Sequence, residues 1–182
     1  MDPALNRFPT DPDEARRAFE ASREPLYRFL FGMLGSREEA EDMVQETWLT
    51  AHREASRFRG DSALLTWLTG IALNHARRRL RRRKLERWLT LDFELFASGP
   101  PPDAEAIRRE DAEQVRAAVA ALPDREREVL TMFDWEGLSH AEIARLLGCA
   151  EGTVWSLLSR ARMGYVVKAP CFFVFHPEVL MS

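Results

Sequence analysis

The run Gly99-Pro100-Pro101-Pro102 divides everything else in this 182-residue chain. Proline has no backbone N–H and its ring clashes with the preceding turn, and three in succession favour an extended polyproline path, so no helix passes through. Helical patterns on the two sides must therefore build separate units. With 46% apolar and 30% charged residues the chain has material for two small cores and is not a disordered tail.

Upstream, "TDPDEARRAFEASREPLYRFLFGMLG" has a capping Thr10 or Asp11, Pro12 in the first turn, and apolar Ala15, Phe19, Leu26, Phe29, Leu30 and Met33 at helical spacing. It predicts a helix closed by Gly35, with Pro25 marking a kink or a fresh start. Ser36 and Glu39 predict a capping box for a second helix. One face of that helix carries Ala40, Met43, Val44, Thr47, Trp48 and Ala51; the opposite face carries Asp42, Gln45, Glu46, Leu49 and Arg53. A third helix starts near Ser62 and turns Leu64, Leu68, Ile71 and His75 inward.

The net charge of −3 hides a local excess. Residues 61–90 hold two acidic side chains against eight basic ones: Arg77, Arg78, Arg79, Arg81, Arg82, Arg83, Lys84 and Arg87. Such a cluster attracts phosphate whatever the total charge. Taken alone it also fits a solvated helix end or a basic linker.

Downstream, helices resume with "AEAIRREDAEQVRAAVAAL" and "PDREREVLTMFDWEG". In "LSHAEIARLLGCAEGTVWSLLSRAR", Ser139 and Glu142 form a second capping box, Ile143, Ala144 and Leu147 face inward, and Gly148 supplies a left-handed turn before another helix. This predicts a helix-turn-helix, or at its plainest a helical hairpin. Packing of Val154, Leu158 and Ala161 leaves Thr153, Ser156, Leu157 and Arg160 facing out. The expected architecture is all-α: a unit over 10–87, a Pro-rich linker over 88–106, a helix-turn-helix unit over 107–168 and an apolar tail over 169–182.

The stretches "AEDMVQETWLTAHR", "FRGDSALLTWLTGIALNHARRRLRRR", "LPDREREVLTMFDWEGLSHAEIARLLG" and "EGTVWSLLSRAR", in that order and spacing, resemble the extracytoplasmic-function class of bacterial RNA polymerase sigma factors. The resemblance implies a protein that recruits core RNA polymerase to promoter DNA, with no cofactor and no bond-making chemistry of its own. It implies that Asp42, Gln45, Glu46 and Leu49 dock on polymerase, and that Asn74, Arg77, Arg78 and Arg81 hold the minus-ten element. Thr153, Ser156, Arg160 and Arg162 would read the minus-thirty-five element. An anti-sigma partner is also implied. Thr69, Gly70 and Leu73 depart from the aromatic or basic residues common in relatives, and Trp155 and Leu157 stand where Lys or Arg is common. Ala150 replaces an N-capping Ser or Thr.

A helix-turn-helix regulator that never engages polymerase is the competing reading. An enzyme has little support, since His52, His75, His140 and His176 are scattered, no phosphate-cradling glycine loop exists and the cysteines lack metal-ligand spacing. Cys149 and Cys171 are too few for a disulfide framework. The opening residues lack a basic-then-apolar leader and no apolar run is long enough for a membrane span, so a cytoplasmic protein is expected. The closing "CFFVFHPEVLMS" reads as a packed tail, a docking segment or the product of a shifted reading frame.

Overall fold

The computed structural model describes residues 8, 9, 11–90 and 117–168, with the side chains of Arg87, Leu89, Thr90 and 165–168 left aside. Helix α1 (Pro12–Leu34) starts at Asp11, whose carboxylate accepts the Asp13 and Glu14 amides at 3.1 and 3.0 Å. The chain stays helical through Pro25, with no fresh start there. One missing N–H is outweighed by the flanking Leu26, Phe29 and Leu30, all 0% exposed. Gly35 ends the helix at φ 70°.

Helix α2 (Arg37–Arg53) buries Ala40, Val44, Thr47 and Ala51. Only half of the expected capping box forms. The Ser36 hydroxyl accepts the Glu39 amide at 3.4 Å, whereas the Glu39 carboxylate is taken by Arg79 at 2.8 Å and by Arg83. Two guanidinium partners outcompete one backbone N–H. A 3₁₀ turn (Ala55–Arg57) leads to helix α3 (Leu64–Thr90). Helix α3 buries more than one stripe: Leu68, Thr69, Ala72, Leu73, Ala76 and Thr66 are all inside, while Leu64, Ile71 and His75 are only half-buried.

Residues 91–116, which hold most of the expected linker, and the tail from 169 lie outside the described residues, as does the Tyr165 side chain. After a helical segment at 117–120 come helix α4 (Asp124–Leu130), a π-helical turn (Thr131–Trp135), helix α5 (His140–Leu147) and helix α6 (Glu151–Lys168). The Ser139–Glu142 capping box is complete, with the Ser139 amide donating to the Glu142 carboxylate at 3.0 Å and the Glu142 amide to the Ser139 hydroxyl at 3.3 Å. Gly148 turns the chain at φ 63° into α6. No strand occurs among the described residues.

The two helical units share one apolar cluster, running from Leu26, Phe29 and Leu68 through Val129 and Met132 to Ile143 and Val154. The closest approach is at Gly32 of α1, where an added Cβ would overlap the Trp135 ring and lie 2.8 Å from the Thr131 methyl. Replacing glycine by alanine inside a helix normally gains about 1 kcal/mol. Here the overlap should reverse the sign, so Gly32→Ala is expected to lower the melting temperature by roughly 3–6 °C. A calorimetric scan showing an unchanged or higher melting point would contradict this packing.

Candidate nucleic-acid interface

Helix α3 is covered along one side and open along another. On the covered side, the Thr66 hydroxyl donates to Glu142 at 2.9 Å, an added Cβ on Gly70 would lie 3.0 Å from the Leu146 side chain, and Lys84 pairs with Asp124 at 2.7 Å. Between them, the Arg77 guanidinium donates twice to Glu128, at 2.6 and 2.7 Å. The Glu128 side chain is 3% exposed. Its hydrogen bonds hold the Arg77 proton more tightly than usual against the opposing cost of burial. Arg77 is thus committed to the second unit. Thr69 and Leu73 are also inside, with the Thr69 hydroxyl donating to the Leu65 carbonyl at 2.9 Å.

The remaining basic residues sort by partner. Arg79 and Arg83 hold Glu39, Arg82 pairs with Glu86 at 3.0 Å, and Lys84 with Asp124. Burial alone would raise the Glu39 pKa, but the two arginines bring it below the usual carboxylate range. Arg78 and Arg81 are exposed and make no ion pair among the described residues. With exposed Asn74 they form a stripe at i, i+4 and i+7 on the open side. One polar amide therefore lies beside two unneutralised guanidiniums.

On α2, Asp42, Gln45, Glu46 and Leu49 are all exposed, Leu49 to 61%. An acidic helix face with an uncovered leucine suits a basic, partly apolar partner. Glu46 also lies 3.5 Å from Nδ1 of His75, whose Nε2 is 3.1 Å from the Thr50 hydroxyl. Burial lowers the His75 pKa, with Glu46 opposing. His75 therefore links α2 to α3 through Glu46 and Thr50. Trp48 and Trp67 belong to an aromatic cluster with Phe8, which lies 5.8 and 5.9 Å from their ring centres.

On α6, Thr153, Trp155, Ser156 and Arg160 face out. Leu157, expected on the same face, is 8% exposed and joins the shared core. Four apolar residues, Val154, Leu157, Leu158 and Ala161, widen the buried stripe because α6 packs against both α4 and α5. Arg160 pairs with Glu126 at 3.1 Å. Arg162 pairs with Asp134 at 3.3 Å and lies over the Phe133 ring, with its side chain 16% exposed. Burial raises the Asp134 pKa in spite of that arginine. The Ser156 hydroxyl donates to the Gly152 carbonyl at 2.9 Å. Both described arginines of the helix are thus paired within its own unit.

Comparison with known proteins agrees with this division. Residues 18–86 match the Sigma-70 region 2 family and residues 112–163 the Sigma-70 region 4 family. The chain is 36% identical over 135 residues to the RNA polymerase sigma-H factor of Pseudomonas aeruginosa, covering 69% of this chain and 70% of that one. It is 37% identical over 144 residues to the ECF RNA polymerase sigma factor SigM of Mycobacterium tuberculosis, covering 79% and 71%. Among solved structures it resembles the sigma factor RpoE bound to the anti-sigma factor NepR from Bartonella quintana, with a TM-score of 0.71 and 25% identity over 86% of this chain and 96% of that one. It shares its fold with CnrH bound to the cytosolic domain of CnrY, with a TM-score of 0.67 and 22% identity over 87% and 88%. No helix among the described residues is long and apolar enough to cross a membrane, and no group of three or more metal-ligating side chains occurs among them.

One carboxylate at the foot of the helix-turn-helix is out of balance. Both Glu136 oxygens are buried without a hydrogen-bond partner among the described residues, and burial raises its pKa from 4.5 to about 7, with Arg28 opposing. The folded chain therefore keeps this proton where the unfolded chain has released it, so stability falls as pH rises from about 4.5 through about 7. Glu136→Gln is expected to stabilise the chain more at pH 8 than at pH 5. Denaturant melts of both proteins at the two pH values check this, and equal differences would place the carboxylate in contact with water.

Proposed function

Because the chain belongs to the extracytoplasmic-function class of RNA polymerase sigma factors, we propose that its separate surfaces divide the work of transcription initiation. The chain is an alternative sigma factor that binds core RNA polymerase and directs promoter recognition. The observation that carries the division is the coexistence of an uncovered acidic face on α2 and an unpaired Asn74–Arg78–Arg81 stripe on α3.

Asp42, Gln45, Glu46 and Leu49 dock on polymerase, combining charge with one apolar anchor. Asn74 lines the site for a base extruded from the minus-ten element, while Arg78 and Arg81 follow the strand's phosphates. Arg77 joins them once Glu128 releases it, a step that requires the two units to part. Thr153, Ser156 and Arg160 meet the minus-thirty-five element in the major groove. Arg162 reaches phosphate only after leaving Asp134. Bond-making belongs to polymerase, so this protein works as an initiation factor in the cytoplasm.

One solved relative, RpoE of Bartonella quintana, is seen with the anti-sigma factor NepR, which supports a protein of that kind as the regulator here. The relatives' names support polymerase engagement over a helix-turn-helix regulator that works without polymerase.

Run-off transcription with purified core polymerase and genomic templates is expected to give promoter-dependent products. Asp42→Lys and Glu46→Lys should each reduce co-purification with core polymerase by about tenfold while DNA binding persists. Arg78→Ala and Arg81→Ala should instead weaken promoter binding, each lowering its salt slope by about one. Normal polymerase recovery with both lysine variants would overturn the assignment of α2.

A further inference from the structure

Helix α6 presents an unusual surface for a helix expected to enter a DNA groove. Its cations are largely spent on its own unit, since Arg160 pairs with Glu126 and Arg162 with Asp134. The Ser156 hydroxyl proton goes to the Gly152 carbonyl. The largest exposed group in its first two turns is the Trp155 indole, 65% exposed and without a ring or hydrogen-bond partner among the described residues. Of its neighbours one turn away, Leu158 points into the core and Glu151, Gly152 and Ser159 are exposed.

Three properties of this position narrow the occupant. Trp155 lies in the N-terminal turns of α6, the part of a recognition helix that meets base edges. It is flanked by Thr153 and Ser156, which are small and exposed, so the indole stands above its surroundings. The exposed charges nearby are the Glu151 carboxylate, one turn earlier, and Arg160, which is paired with Glu126, so phosphate attraction is weak and apolar contact is left as the main source of discrimination. In the major groove the thymine C5-methyl is the apolar feature that separates one base from the other three.

Resting on the proposed placement of α6 in the minus-thirty-five element, we infer that Trp155 is a specificity-determining residue that packs on a thymine methyl in the major groove. The indole N–H remains available for an acceptor on a neighbouring base edge. The protein thereby trades electrostatic affinity for apolar discrimination, and its promoter affinity depends less on salt than a basic residue at this position would make it.

The test uses holoenzyme assembled from core polymerase and the full chain, on a promoter located by mapping transcripts made on overexpression. Each minus-thirty-five thymine is replaced in turn by deoxyuridine, which removes only the methyl. The wild-type holoenzyme is expected to lose about fourfold in affinity at one or two of these positions, the weight of one buried methyl. Trp155→Ala should lose roughly tenfold on the thymine promoter and become indifferent to deoxyuridine at those same positions. Trp155→Phe should keep part of the methyl preference, and Trp155→Lys should raise the salt slope by about one while relaxing discrimination. Unchanged melting temperatures are expected for all three variants, because the side chain is exposed.

The inference is overturned if wild type ignores every methyl, if Trp155→Ala binds as wild type does, or if that variant loses core polymerase or self-association instead, which would make the indole a protein-docking group. Failure of the underlying placement looks different: scrambling the whole minus-thirty-five element would then leave wild-type binding unchanged.

Discussion

Glu128 lies almost wholly inside the protein, and a buried carboxylate tolerates only a well-matched partner. Desolvating each ion costs several kcal/mol, which a single distant cation does not repay. Arg77 meets the requirement with two parallel N–H donors from a different helical unit. This pair ties α4 to α3. Around that pair the apolar cluster closes, with Trp135 seated on Gly32 and Leu146 against Gly70. What the proline run separates in sequence, the shared core and this ion pair reunite in space.

That reunion divides α3 into two sides with different prospects. The side bearing Thr66, Gly70, Arg77 and Lys84 is engaged by the second unit, and the side bearing Asn74, Arg78 and Arg81 stays open. A cluster of like charges would otherwise repel itself. Here Glu39, Glu86, Asp124 and Glu128 engage five of these cations, and among the described side chains Arg78 and Arg81 are left for phosphate. Helix α6 follows the same logic at smaller scale, because Arg160 and Arg162 face carboxylates on Glu126 and Asp134.

Much of this was legible from local signals. The caps at Asp11, Ser36 and Ser139, the left-handed glycines 35 and 148, and the buried stripes of α1 and α2 stand where the periodicity places them. The exposure of Asp42, Gln45, Glu46 and Leu49 was equally readable, since a helix with one apolar face must present the other. Leu157 was misplaced because a single stripe was assumed for a helix that packs on two neighbours. The fresh start offered at Pro25 does not occur, because the apolar contacts that keep α1 helical there come from other elements. Gly32 offered a signal that went unused, a glycine at an otherwise helical position with no cap to explain it.

By itself the sequence determined most helix starts and stops, the apolar faces of α1 and α2 and where positive charge accumulates, since those properties arise from residues within about one turn of each other. It did not determine which arginines are free. Arg77 and Glu128 are 51 positions apart, and Arg83 and Glu39 are 44 apart. Pairings at that range depend on how whole helices pack, and only the tertiary structure decided that Arg78 and Arg81 have no ion pair among the described residues while Arg77 does.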